Sequence, residues 1–144
     1  MSQYVLNEWF WADLRGDNGS DRQTATLLFL QRLATSQHQI IIVANSPFDV
    51  KAWNLCVTAP EFGRAFVLLL RQNFERCRIL HPEDLPPFPP HLEPTIKLDD
   101  RYLVQTCLAV PGCTLITTDT PLAAALKSLG ISCVSRDEAV AFVI

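Results

Sequence analysis

Four groups of oxygen-bearing side chains in this sequence could do chemistry. Asn7 and Glu8 close a short apolar run, QYVL. Asp49 follows Ser46 and Pro47 at the start of a helical stretch, Asp99 and Asp100 open another, and Asp119 closes the run TLITT. Carboxylates gathered without matching lysines repel one another unless a cation neutralises them. Mg²⁺ or Mn²⁺ suits such a site, because both are hard ions that take oxygen ligands and keep several waters. The chemistry that follows is phosphodiester hydrolysis, in which the ion polarises the phosphate and generates the attacking hydroxide. A blander account competes with this one. An aspartate in the first turn of a helix stabilises it by roughly 0.5–1 kcal/mol through capping and the helix dipole. Asp49, Asp99 and Asp119 can each be explained that way singly. Convergence on one sheet edge is what caps alone would not require.

The elements that must position these groups alternate. QYVL (3–6) reads as a strand that arrives at Asn7 and Glu8. TATLLFLQRLATS (24–36) has the three- and four-residue apolar spacing of an amphipathic helix, and QIIIVAN (39–45) the continuous β-branched character of a buried parallel strand. Ser46 caps a helix with Pro47 in its first turn, running to about Val57. Pro60 restarts a helix through EFGRAFVLLLRQNF, and CRILH (77–81) is a third strand. PEDLPPFPPHLEP (82–94) excludes regular helix or central strand and predicts an ordered surface connection. LDDRYLVQTCLAV (98–110) is a helix, CTLITT (113–118) a strand, PLAAALKSLG (121–130) a helix stopped by glycine, and ISCVS (131–135) the last strand before a short terminal helix, RDEAVAFVI. Such alternation predicts an α/β chain, a three-layer α/β/α sandwich with a mostly parallel central sheet, in one domain over residues 1–144. Sites in such sheets lie beyond the carboxyl ends of the strands, which places Asn7, Glu8, Ser46 and Asp119 near one edge.

Bulk properties narrow the classes. At 144 residues with 49% hydrophobic content the chain can bury a real core, and no apolar run reaches membrane-spanning length. The first residues, MSQYVLNEWFWADL, lack the basic-then-apolar layout of a signal peptide, so the expected location is the cytoplasm. The five cysteines form no CxxC pair and read as small buried hydrophobes, as a reducing compartment allows. The three histidines lack ligand spacing. A formal charge of −3 argues against a general nucleic-acid coat. A local basic patch remains open where Arg64, Arg71, Arg76 and Arg78 crowd one segment, with Arg64 and Arg71 the candidates for RNA contact. Trp9, Phe10, Trp11 and Leu14 predict a helix folded onto the sheet rather than a base-stacking platform, and Asp13, five residues after Glu8, is a candidate supporting residue for the same edge.

In its second half the chain resembles the PIN domain family. The resemblance rests on Asp100-Arg101-Tyr102-Leu103-Val104-Gln105-Thr106-Cys107, on Thr117-Thr118-Asp119 about twenty residues later, and on the tail LKSLGISCVSRDEAV. The family's order of elements also agrees over nearly the whole chain. The resemblance implies a compact α/β/α sandwich and, in most members, a Mg²⁺- or Mn²⁺-dependent ribonuclease built from three or four acids. In many prokaryotic members it also implies a small antitoxin inserted into the acidic groove, and an apolar dimer surface, for which FGRAFVLLLRQNF is the segment to examine. Carried over, Asp100 and Asp119 are metal ligands and catalytic acids, Asp99 a neighbouring ligand, and Thr117 a supporting hydrogen-bonding residue, with Ser46 beside it.

Two positions depart from the family. An aspartate is expected where Asn7 stands; its amide oxygen can bind a metal ion, which keeps Asn7 among the candidate ligands, but it brings no charge. A glutamate is expected five residues beyond the serine, where Lys51 stands, with Asp49 nearby. Glu8 could replace the first acid only if the strand breaks after Asn7 and turns it inward. Two readings follow. In one, Glu8, Asp49, Asp100 and Asp119 form the catalytic cluster of an endoribonuclease that cuts single-stranded RNA with a metal-activated water. In the other, a PIN-like fold has lost catalysis and serves as a protein- or RNA-binding module. The discriminating geometry is whether the carboxylates of Glu8, Asp49, Asp100 and Asp119 converge within one ion's reach, or Lys51 fills the gap.

Overall fold

In the computed structural model, which describes residues 1–142, five strands form one sheet of order β3-β2-β1-β4-β5. The strands are β1 (Gln3–Leu6), β2 (Gln39–Val43), β3 (Cys77–Leu80), β4 (Thr114–Thr117) and β5 (Ser132–Ser135), and every pairing is parallel. The helices are α1 (Trp9–Arg15), α2 (Ser20–Thr35), α3 (Pro47–Thr58), α4 (Pro60–Phe66), α5 (Arg101–Ala109), α6 (Thr120–Ser128) and α7 (Arg136–Phe142). The last two residues of the expected terminal helix lie outside the described residues.

β2 shows why two layers of helices are needed. Ile40 and Ile42 point into one core while Ile41 and Val43 point into the other, so both sheet faces require cover. One core joins the sheet to α1 through α4 and α7, with Phe10, Trp11, Phe29, Phe48 and Phe66 at its centre. The other is closed by α5, α6 and the proline-rich segment, which contributes Leu92 and packs Leu85 and Phe88 against it. That segment holds only two single 3-10 turns, Pro82–Asp84 and Pro90–Leu92, as its missing N–H donors require.

The aromatic run of α1 is core. Trp9, Phe10, Trp11 and Leu14 are buried, and both indole N–H groups find carbonyls, Trp9 donating to Ile116 at 2.8 Å and Trp11 to Phe48 at 3.0 Å. Each large apolar side chain so buried contributes roughly 1.5–3 kcal/mol. α1 stops at Gly16, whose φ of 85° is the left-handed cap that a side chain disfavours. α3 and α4 cross so closely at Gly63 that a Cβ there would collide with the Cys56 backbone. Beyond α4 the helix continues as a π turn over Val67–Arg71, which ends on Arg71.

The strand order reverses direction once. From β1 the chain steps outward to β2 and β3, then returns to β4 on the other flank of β1 and continues to β5. The helices after β1 and β2 cover one face, while α5 and α6 cover the other. A crevice therefore opens where β1 and β4 end side by side, at the switch point where open parallel sheets bind ligands.

Candidate functional site

Asn7 and Thr117 stand at this switch point, one residue past β1 and at the end of β4. Asn7 Nδ2 donates to Thr117 Oγ1 at 3.0 Å, and Asn7 Oδ1 accepts the Glu8 backbone N–H at 2.7 Å. Thr117 Oγ1 also accepts the Asp119 backbone N–H at 3.0 Å. Both residues are buried. Their side chains tie the ends of two strands together, and the amide expected among the metal ligands is committed at both of its ends.

The strand does break after Asn7. Glu8 has helical backbone angles (φ −64°, ψ −16°) and begins α1, which turns its side chain out of the strand's alternation. Its carboxylate meets Lys51 Nζ at 2.8 Å. Both side chains are more than one-third exposed, so the pair is screened by solvent and contributes little to stability. Its importance is local: a lysine from α3 places a cation beside the first acid of this edge.

Asp49 is neutralised more firmly. Its carboxylate accepts from Arg71 Nε at 2.8 Å and Nη2 at 3.2 Å, and from the Asn45 backbone at 3.0 Å. Asn45 offers that N–H from a left-handed turn, φ 62°, tolerated by asparagine. Ser46 completes the cap by accepting the Asp49 N–H at 3.3 Å. The Asp49 side chain is only 3% exposed. The hydrogen bonds it donates to Asp49 hold the Arg71 guanidinium above its usual pKa, and Arg71 also lies 5.9 Å over the Trp53 ring. Arg71, expected at an RNA surface, is thus spent on Asp49, whereas Arg64 lies exposed on α4 and forms no ion pair among the described residues.

Asp100 and Asp119 are different. Asp100 precedes α5 after a 3-10 turn and makes no capping bond, so the capping account does not describe it. Burial first, then the negative charges of Asp119 and Glu8, push its carboxyl above the usual aspartate range, while Lys97 pulls the other way. Asp119 does cap α6, accepting the Leu122 N–H on Oδ1 at 3.1 Å, and neither aspartate forms an ion pair among the described residues. Between them lies a cavity of about 150 Å³, walled by Thr95, Ile96, Lys97, Pro121 and Leu122. Asp99 is exposed beside it. Tyr102, which sequence reasoning passed over, carries a buried hydroxyl that meets no hydrogen-bond partner among the described residues, and burial first, then the charge of Glu8, push its pKa up.

Asp13 is placed away from these groups. It is 1% exposed and accepts from Asn18 at 2.8 Å, from Thr26 at 2.9 Å and from Arg136 at 2.9 Å, fastening α1 to α2 and α7. Its link to the edge is indirect: Arg136 lines a cavity of about 390 Å³ on the other flank of Asp119.

Among the described residues, no three histidine, cysteine, aspartate or glutamate side chains are grouped so that they could hold one metal ion. The donor set explains why: Asn7 is uncharged and committed, Glu8 is paired with Lys51, and Asp49 is paired with Arg71. As arranged, Asp100 and Asp119 are the two carboxylates of the proposed cluster left without an ion pair among the described residues. Comparison with known proteins gave no match to any family model, curated protein or solved structure. No helix among the described residues is long and apolar enough to cross a membrane.

Proposed function

We propose that this chain is a PIN-like domain that acts by binding rather than by cutting, and that its partner is a protein segment presenting a basic side chain to Asp100 and Asp119. The observation that carries this reading is the chain's own neutralisation of its acidic edge, with Lys51 on Glu8 and Arg71 on Asp49. Asp100 and Asp119 form no ion pair among the described residues, Lys97 at the cavity wall offsets only part of the charge on Asp100, and the small cavity between the two aspartates suits one guanidinium or ammonium head. The parallel sheet with its switch point at β1 and β4 agrees with the resemblance but does not by itself assign an activity.

The second reading, a Mg²⁺- or Mn²⁺-dependent endoribonuclease, draws on one fact. The upward shift of Asp100 marks a like-charge pair of the kind that a divalent ion would relieve. One experiment separates the two. Wild type and the Asp100→Asn, Asp119→Asn double variant are incubated with single-stranded RNA in Mn²⁺, in Mg²⁺ and in chelator, and titrated in parallel with an arginine-rich peptide. The binding reading expects intact RNA throughout and peptide binding that the double variant loses. Metal-dependent cleavage that disappears in the double variant would overturn it in favour of the nuclease.

A further inference from the structure

At the opposite end of β4 from Asp119, two buried cysteines lie close together. Cys107 lies in the last turn of α5, and Cys113 immediately precedes β4. The chain doubles back between them: the Val110 N–H bonds to Thr106 and the Cys113 N–H to Val110, which folds the six-residue separation into a tight turn. Cys113 Sγ lies 3.9 Å from the Cys107 carbonyl oxygen, and both side chains line one cavity of about 340 Å³ with Pro111, Gly112, Leu129 and Gly130.

We propose that Cys107 and Cys113 form an oxidisable dithiol, a modification site at which a small peroxide entering this cavity produces an intramolecular disulfide. The two sulfurs have unequal roles. The two thiols influence one another's ionisation, lowering the pKa of Cys113 and raising that of Cys107, so Cys113 is the readier thiolate. Cys113 Sγ attacks one peroxide oxygen; the O–O bond breaks, hydroxide leaves and takes up a proton as water, and a sulfenic acid remains on Cys113. Cys107 Sγ then attacks that sulfur, the S–O bond breaks, and the departing oxygen leaves as a second water with the Cys107 proton. Two thiols and one peroxide thus give one disulfide and two waters. Cys133 is the competing thiol, since it stands on β5 close enough to feel the charge of Cys113. The disulfide would clasp the end of α5 to the start of β4, the two elements that carry Asp100 and Asp119 at their other ends.

Tryptic mapping tests this on the full chain, because the peptide 102–127 contains Cys107 and Cys113 and no other cysteine, whereas Cys133 falls in 128–136. After mild treatment of folded wild type with hydrogen peroxide and alkylation, peptide 102–127 should lose two hydrogens and take up no alkylating agent. The cysteines at 56, 77 and 133 should stay alkylatable. Cys107→Ser should instead leave a sulfenic acid on Cys113 that a dimedone probe captures, and Cys133→Ser should form the disulfide as wild type does. A disulfide joining Cys133 to either residue would overturn the proposal. So would full alkylation of peptide 102–127 under conditions that oxidise the same peptide in denatured protein.

Discussion

The sharpest prediction concerns Lys51 and Asn7, the two residues that stand where a metal site would have acids. Asn7→Asp adds one negative charge, and Lys51→Glu removes a positive charge and adds a negative one, so the net charge of the edge around Glu8, Asp100 and Asp119 falls by three. Breaking the Lys51–Glu8 pair, 2.8 Å long but more than one-third exposed on both sides, costs only about 0.2–1 kcal/mol. The added repulsion costs more, about 1–3 kcal/mol for carboxylates a few ångströms apart near the surface. In chelator the double variant should therefore melt several degrees below wild type. Metal should reverse the order. An ion bound with a dissociation constant of about 0.1 mM stabilises by about 2.7 kcal/mol at 100-fold excess. In a chain of 144 residues that raises the melting temperature by about 10 °C. Wild type should move by about 1 °C or less, since its own lysine occupies the electrostatic role of the ion. Thermal unfolding in Mn²⁺ and in chelator, followed by circular dichroism, reads both numbers. The reasoning is refuted if wild type gains as much from Mn²⁺ as the double variant does, or if the folded variant gains nothing.

Three other outcomes follow from named contacts. Arg71→Met strands the nearly inaccessible Asp49 carboxylate and should cost about 3–5 kcal/mol in urea unfolding, most of it recovered when Asp49→Asn is added; a loss below 1 kcal/mol would show the pair to be dispensable. Asp100 binds its proton more tightly folded than unfolded, so its ionisation opposes folding: stability linked to it is full below the ordinary aspartate pKa of about 4 and is lost as pH rises through the folded value. Asp100→Asn should accordingly raise the melting temperature at pH 7 and leave it nearly unchanged at pH 3, and a fall at pH 7 would contradict the linkage. Finally, Val50, Trp53 and Val57 form an exposed stripe on α3, 46%, 45% and 81% exposed, with Arg71 carrying it toward the 68%-exposed Leu68. We expect this face to pair two copies of the chain, so that sedimentation velocity shows a dimer at tens of micromolar that Val57→Glu dissociates.

Sequence and structure contributed at different levels. Periodicity and punctuation were enough for the layers: the β-branched run of β2, the cap at Ser46 and Pro47, and the glycine after α6 are local signals whose physics acts within a few residues. The parallel sheet, the buried aromatic run of α1 and the irregular proline-rich segment follow from them. Boundaries shifted by a few residues, as in α2, which begins at Ser20 rather than near residue 24 because its exposed, polar first turn carries no apolar periodicity.

The candidate site was legible only as a set of residue types. That Asn7, Glu8, Ser46 and Asp119 lie toward one edge follows from strand ends in a parallel sheet, which the sequence indicates, whereas the adjacency of β1 and β4 and the approach of Asp100 to Asp119 and Glu8 come from the structure. Which charge meets which was decided by tertiary structure alone. Arg71 reaches Asp49 from 22 residues away because a π turn ends there, and Arg136 reaches Asp13 across 123 residues. A carboxylate looks the same in sequence whether its partner is a metal ion, a lysine or an arginine. The difference lies in a few ångströms between side chains carried by different elements, and only the packing of those elements sets that distance.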